Sequence, residues 1–230
     1  MDVILVPGLW LDASSWGSVI PALERAGHRA FPLTLPGVGA PAAIAEGIGI
    51  AEWVAAVVAE IDAAQHPVAL VGHSGGGNVV WGAADARPDK VARVIFVDTV
   101  PPAPGMGISE FDAVDGVVPF PGWRAFDEPD VRDLDEPTRA RIAAQAQSVP
   151  IRTTSDGIAL KDPARYGIPV TVLAGTMDAA ALHDLIQNWP ASAAEYAAIS
   201  DVEVVTLGSG HWPQFSKPTE LADAMVEALR

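Results

Sequence analysis

Val68-Ala69-Leu70-Val71-Gly72-His73-Ser74-Gly75-Gly76-Gly77-Asn78-Val79-Val80-Trp81-Gly82-Ala83-Ala84 is the stretch on which the fold turns. Its first four residues form a short apolar run, the pattern of a buried strand. The run from Gly77 to Asp85 reads as a helix. Between them stands Gly72-His73-Ser74-Gly75-Gly76, a Gly-x-Ser-x-Gly pattern. A serine hydroxyl projects from a sheet only if the chain turns sharply from strand to helix. Flanking glycines allow that turn, because a Cβ there would strike the neighbouring backbone. The pattern alone is weak in a glycine-rich chain, and its strand–turn–helix setting gives it weight. Ser74 is therefore a candidate nucleophile, and the Gly75 amide a candidate oxyanion donor.

Outward from this stretch, further runs rich in Val, Ile and Leu read as strands: Val3–Val6, Arg29–Leu35, Val91–Val97, Val170–Ala174 and Val202–Leu207. Most are apolar on both faces, as strands of a covered parallel sheet are. Helical patterns fall at Trp16–Ala26, Ala51–Ala64, Ala179–Trp189 and Pro218–Leu229, the last with Ser216 as its expected cap. Trp53, Val54, Val57, Val58 and Ile61 share one helical face. Alternating strands and helices predict an α/β fold with about six mostly parallel strands flanked by helices.

One connection breaks the alternation. About seventy residues separate Val97 from Pro169, far more than a usual crossover. The segment is rich in proline, carries Phe111, Phe120, Trp123 and Phe126, and has a helical stretch at Glu136–Gln147. Exposed loops seldom hold so many aromatics. The expected organisation is a core of residues 1–100 and 167–230 with an inserted cap at 101–166, after the fourth strand.

A serine needs a base. Gly208-Ser209-Gly210-His211-Trp212 follows the last strand, so His211 can reach the sheet edge that carries Ser74. His28, His66 and His183 fall in or beside helical segments, and His73 lies inside the serine motif. The imidazole in turn needs a carboxylate to hold its tautomer and stabilise its cation. Asp98, after Val91–Val97, and Asp178, in Gly175-Thr176-Met177-Asp178, both qualify. Asp178 is preferred, because Gly175 permits a turn at its strand end and the next strand delivers His211. Pro7-Gly8-Leu9-Trp10 ends the first strand, and Leu9 is the expected second oxyanion amide. No Gly-x-Gly-x-x-Gly follows that strand, and Gly-Lys-Ser/Thr and His-Glu-x-x-His are absent, so neither a nucleotide cofactor nor a metal is expected.

The chain has 230 residues, 14 Lys plus Arg against 29 Asp plus Glu, a formal net charge of -15 and no cysteine. Such a charge disfavours nucleic acid and anionic membranes as partners. Disulfides and thiol catalysis are excluded. Met1–Gly8 lacks a signal peptide's basic start, and no apolar run approaches the ~20 residues of a membrane span. The expected setting is cytoplasmic.

Together these residues resemble the α/β-hydrolase superfamily, and within it the compact branch of methylesterases and hydroxynitrile lyases. The likeness runs from Gly8-Leu9-Trp10 and Trp16 through Gly72–Gly76 and Gly175–Asp178 to Gly210-His211. It implies a Ser74, Asp178, His211 triad with the amides of Leu9 and Gly75. The expected reaction, without a cofactor, is hydrolysis of a small to medium apolar ester or lactone, because the expected pocket wall is aromatic and aliphatic. Trp10, His73, Phe120, Trp123 and Trp212 are the expected substrate contacts. Three departures from the branch stand out. Pro7 stands where it usually has histidine, and Thr34-Leu35-Pro36-Gly37 lacks its usual aspartate. Gly8 and Trp212 replace the threonine and lysine of the lyases, which disfavours cyanohydrin cleavage. A cofactor-free oxygenase and a silent receptor are the remaining alternatives on this scaffold.

Overall fold

The computed structural model describes residues 1–230. Strands β1 (Asp2–Val6), β2 (Arg29–Pro32), β3 (Val68–His73), β4 (Val91–Val97), β5 (Val117–Val118), β6 (Val149–Pro150), β7 (Val170–Ala174) and β8 (Val202–Thr206) form two sheets. The larger is six-stranded, in the order β2-β1-β3-β4-β7-β8. All its pairings are parallel. β5 and β6 form a small antiparallel ribbon inside the long connection. The helices are α1 (Ile20–Arg25), α2 (Ala42–Ala45), α3 (Ile50–Ala63), α4 (Gly76–Ala86), α5 (Glu128–Val131), α6 (Glu136–Gln145), α7 (Ile151–Ser155), α8 (Ala179–Gln187), α9 (Pro190–Ala198), α10 (Pro213–Ser216) and α11 (Pro218–Ala228).

Strand residues alternate between two apolar clusters because successive side chains point to opposite faces. Ile4, Val6, Val68, Leu70, Val94, Phe96, Val170 and Val172 join one cluster, where α3, α4 and α8 supply Trp53, Val57, Val80 and Leu182. Val3, Leu5, Ala69, Val71, Ile95, Val97 and Leu173 join the other, closed by Trp16, Leu23, Leu221 and Met225. β3 is buried along its whole length between β1 and β4. The turn that follows it therefore opens at the middle of the sheet's carboxyl edge.

The six expected strands are present, with β2 ending at Pro32. The expected helix over Trp16–Ala26 divides into a 3-10 turn at Ala13–Trp16, capped by Asp12, and α1. Ser216 does not cap α11. Lys217 takes the cap position, and the Ser216 hydroxyl donates to the Trp212 carbonyl instead. Pro218 at the first helical position has no N–H in need of a cap. Pro190 ends the expected Ala179–Trp189 helix early and opens α9.

The long connection is bonded into the core. Val118, Val149, Ile158 and Leu160 belong to the first apolar cluster. Arg165, 3% exposed, lies 3.0 Å from Asp85 on α4 and 2.8 Å from Glu195 on α9.

Candidate active site

The turns that follow three adjacent strands, β1, β3 and β4, lie here, and each carries a residue in a left-handed backbone conformation. Trp10 has φ +64°, Ser74 +50° and Asp98 +46°. Non-glycine residues adopt this region rarely, and strained backbone of this kind collects at functional sites. At the Ser74 turn the glycines are obligatory. A Cβ on Gly72 would stand 2.6 Å from the Gly76 carbonyl oxygen, and one on Gly76 would stand 2.6 Å from those of Val6 and Pro7.

Ser74 Oγ lies 2.8 Å from His211 Nε2, and His211 Nδ1 lies 2.6 Å from Asp98 Oδ2. With Nδ1–H donating to the carboxylate, Nε2 is free to accept the Ser74 proton. The other Asp98 oxygen accepts the Gly175 N–H at 2.8 Å. Burial opposes the charge on Asp98, yet the His211 hydrogen bond and charge and the Gly175 N–H hold it below the usual carboxylate range.

The expectation that Asp178 would partner His211 is corrected. Asp178 caps α8, accepting the Ala181 N–H at 2.9 Å. Asp98 follows β4 without an intervening residue, just as Ser74 follows β3, so its carboxylate stays at the sheet edge. Asp178 lies beyond the β7 end, where the chain has already turned into α8. Gly175 does have a role, as the amide donor to Asp98. A Cβ there would stand 2.6 Å from the Gly210 carbonyl oxygen and 2.8 Å from Asp98 Oδ1.

The Gly8–Leu9 turn packs directly on the serine turn. A Cβ on Gly8 would lie 3.1 Å from Ser74 Cβ, and one on Gly75 would lie 3.2 Å from Leu9 Cγ. Neither the Leu9 nor the Gly75 N–H donates to another group of the protein. Both amides are thus without a partner in turns that pack against each other.

His73, expected at the substrate, is only 1% exposed and braces the site from beneath. Its Nε2–H donates to the His211 carbonyl at 2.7 Å, and Nδ1 accepts from Gln214 Nε2 at 3.2 Å. Burial, and then the His211 charge, push its pKa down to about 3 from 6.5. The unfolded chain binds a proton at His73 below 6.5 that the folded chain refuses down to about 3. Stability is therefore lost as pH falls through that window, at about 1.4 kcal/mol per pH unit. His73→Gln keeps an N–H donor and removes the titration. Urea unfolding at pH 7 and 5 should show wild type losing about 2 kcal/mol more than this variant. Equal losses would refute the assignment.

The expected aromatics form one packed group. Trp10, 5% exposed, meets Phe111, Phe120 and Phe126 edge-on at 4.9, 5.6 and 5.9 Å between ring centroids. Trp123 meets Trp212 at 5.2 Å and donates its indole N–H to the Arg139 carbonyl. Trp212, 4% exposed, stands 4.8 Å from the His211 ring. Ile108 also reaches the site, since its Cγ2 would be 3.0 Å from a Cβ on Gly75. A lone isoleucine in a proline-rich connection carries no sequence signal of that placement. No group of three or more His, Cys, Asp or Glu is arranged to hold a metal, and no helix is long and apolar enough to cross a membrane.

Residues 3–224 match the profile of the alpha/beta hydrolase family. Esterase PIR7B of Oryza sativa subsp. japonica is 40% identical over 111 residues, 46% of this chain. That match spans about two-fifths of the rice protein's length, 41%. Pyrethroid hydrolase of Sphingobium wenxiniae is 26% identical over 98% of this chain and 86% of its own. An extracellular alpha/beta-hydrolase from a Paenibacillus species superposes with a TM-score of 0.78 at 21% identity, covering 99% of this chain and 98% of that one, a likeness of fold. The match over nearly the whole chain, on a parallel sheet that brings Ser74, His211 and Asp98 to one edge, places this chain in the alpha/beta hydrolase family.

Proposed function

We propose that the chain is a serine esterase that cleaves a small to medium apolar carboxylic ester or lactone through an acyl-enzyme. The observation that carries this reading is the continuous hydrogen-bond path from Ser74 through His211 to Asp98. In the proposed reaction His211 Nε2 takes the Ser74 proton as Oγ attacks the ester carbonyl. The amides of Leu9 and Gly75 receive the negative charge on the carbonyl oxygen. His211 then protonates the leaving alcohol, and water activated by the same imidazole releases the acid. Asp98 stabilises the imidazolium throughout. The names of the rice esterase and the Sphingobium hydrolase agree with this chemistry.

Ile108, half-buried over Gly75, is the proposed wall for the substrate's apolar part, within a covering formed by residues 101–166. Trp123 is instead a structural member of the aromatic group against Trp212. A panel of p-nitrophenyl esters of rising acyl length, with a lactone and a cyanohydrin beside them, tests the reading. Ester turnover without cyanide release is expected. Ile108→Ala should reorder the chain-length preference while sparing the acetate, because an apolar wall contributes only where substrate reaches it, at roughly 25 cal/mol per Å² buried. Trp123→Ala should lower the melting temperature and slow every ester alike. The opposite pattern would move the wall to Trp123, and a panel with no turnover would remove the esterase assignment.

A further inference from the structure

We propose that Asp133 is a positioning residue for His211, which makes the turn after α5 a fixed seat of the proton carrier. The inference rests on the reading of His211 as the base that activates Ser74. The loop between β8 and α10 has little regular structure to hold it, so its backbone must be held from outside. Leu207 N–H donates to the Ala174 carbonyl at its start. Beyond that point the insertion supplies the partners. Asp133 Oδ2 accepts the Gly210 N–H at 2.7 Å, the Asp130 carbonyl accepts the His211 N–H at 2.8 Å, and Arg132 donates to the Ser209 carbonyl at 3.3 Å. From the opposite side His73 donates to the His211 carbonyl. The histidine backbone is thus gripped between the serine turn and residues 130–133.

The fit is close. A Cβ on Gly210 would collide with the Asp130 carbonyl and the Asp133 carboxylate. The seat is itself anchored, because Val131 and Leu134 are buried with Leu11, Ile142 and Trp212. The second Asp133 oxygen is buried and has no hydrogen-bond partner. An orphaned carboxylate oxygen costs stability. Its sister oxygen holds Gly210, one residue before His211, and that hold is the function the cost supports. Displacing that backbone by an ångström carries Nε2 away from Ser74 Oγ, and misplacement on that scale reduces rate by about 10²-fold. Ser74, Leu9, Gly75 and Ile108 lie on other segments of the chain. The effect must therefore appear in kcat and not in KM.

The experiment measures p-nitrophenyl acetate hydrolysis by wild type, Asp133→Ala, Asp133→Asn and Gly210→Ala, each normalised to sites titrated to completion with a fluorophosphonate. Asp133→Ala should lower kcat per titrated site about 10-fold to 100-fold with KM held within about twofold. It should slow fluorophosphonate labelling by a similar factor. Asp133→Asn should recover most of the loss, since its amide oxygen can still accept the Gly210 N–H. Gly210→Ala, which pushes on the same contact, should reproduce the kcat loss if Asp133→Ala does not fold. Wild-type kcat per site in whichever of Asp133→Ala or Gly210→Ala folds, or an Asn variant as slow as the alanine, would overturn the proposal. Failure of the wild-type protein to label at Ser74 would be a different result, and would remove the esterase reading itself.

Discussion

Ser74→Ala lowers p-nitrophenyl ester turnover by about 10⁶-fold, the usual loss when a triad nucleophile is removed, while the protein stays folded. The hydroxyl is the only serine oxygen hydrogen-bonded to His211 Nε2, and the side chain is half-buried at the turn between β3 and α4. Alanine deletes the attacking atom and leaves the left-handed turn, its flanking glycines and the free amides of Leu9 and Gly75 in place. A residual rate above water is expected from those amides and from binding. Circular dichroism and a melting curve on the same preparation separate loss of chemistry from loss of fold. A variant that kept a tenth of wild-type turnover would show that the nucleophile lies elsewhere.

Asp98→Asn lowers kcat by about 10⁴-fold, and Asp178→Asn leaves it within a few-fold of wild type. Asn at position 98 presents an amide of the same shape to His211 Nδ1. It can donate there and so favour the tautomer with the proton on Nε2, where the Ser74 proton has to go. It also removes the charge that stabilises the imidazolium. Asp178 works only as the cap of α8, and Asn is as good a cap as Asp, so stability and rate should barely change. Stopped-flow or steady-state rates on one ester, with melting curves for both variants, decide the order. A large loss at Asp178 with a small one at Asp98 would return the acid to the end of β7.

The sheet is legible in the sequence because its strands are short apolar runs whose alternate residues serve two faces. Most residues of the runs at Val68–Val71 and Val91–Val97 fill the two clusters of the core. The serine turn is legible because its chemistry demands glycine at fixed positions. His211 follows from chain order and its place after the last strand. The acid does not, for a physical reason. Asp98 and Asp178 both follow apolar runs that read as strands, and the structure adds that Gly175 donates to Asp98 while Asp178 has turned into a helix cap. One local cue does exist, since Asp98 follows its strand as immediately as Ser74 follows β3. Ile108 and Asp133 are beyond sequence reasoning. Each acts through a contact across the fold, with Gly75 and Gly210 respectively, and neither stands in a pattern that local periodicity can detect. The aromatics of the connection stand out as a group. One of their packing partners, Trp10, sits on a left-handed turn that no propensity indicates.

The step that defines the proposed chemistry is covalent: an acyl group passes from an ester to Ser74. Rapid-quench mass spectrometry of the wild-type protein mixed with excess p-nitrophenyl acetate reads that step directly. The expected result is a mass increase of one acetyl group during the first turnover, localised by proteolysis to the peptide bearing Ser74, with Asp98→Asn forming the same adduct far more slowly. Ester turnover with no adduct, or an adduct on any other residue, would rule out an acyl-enzyme at Ser74.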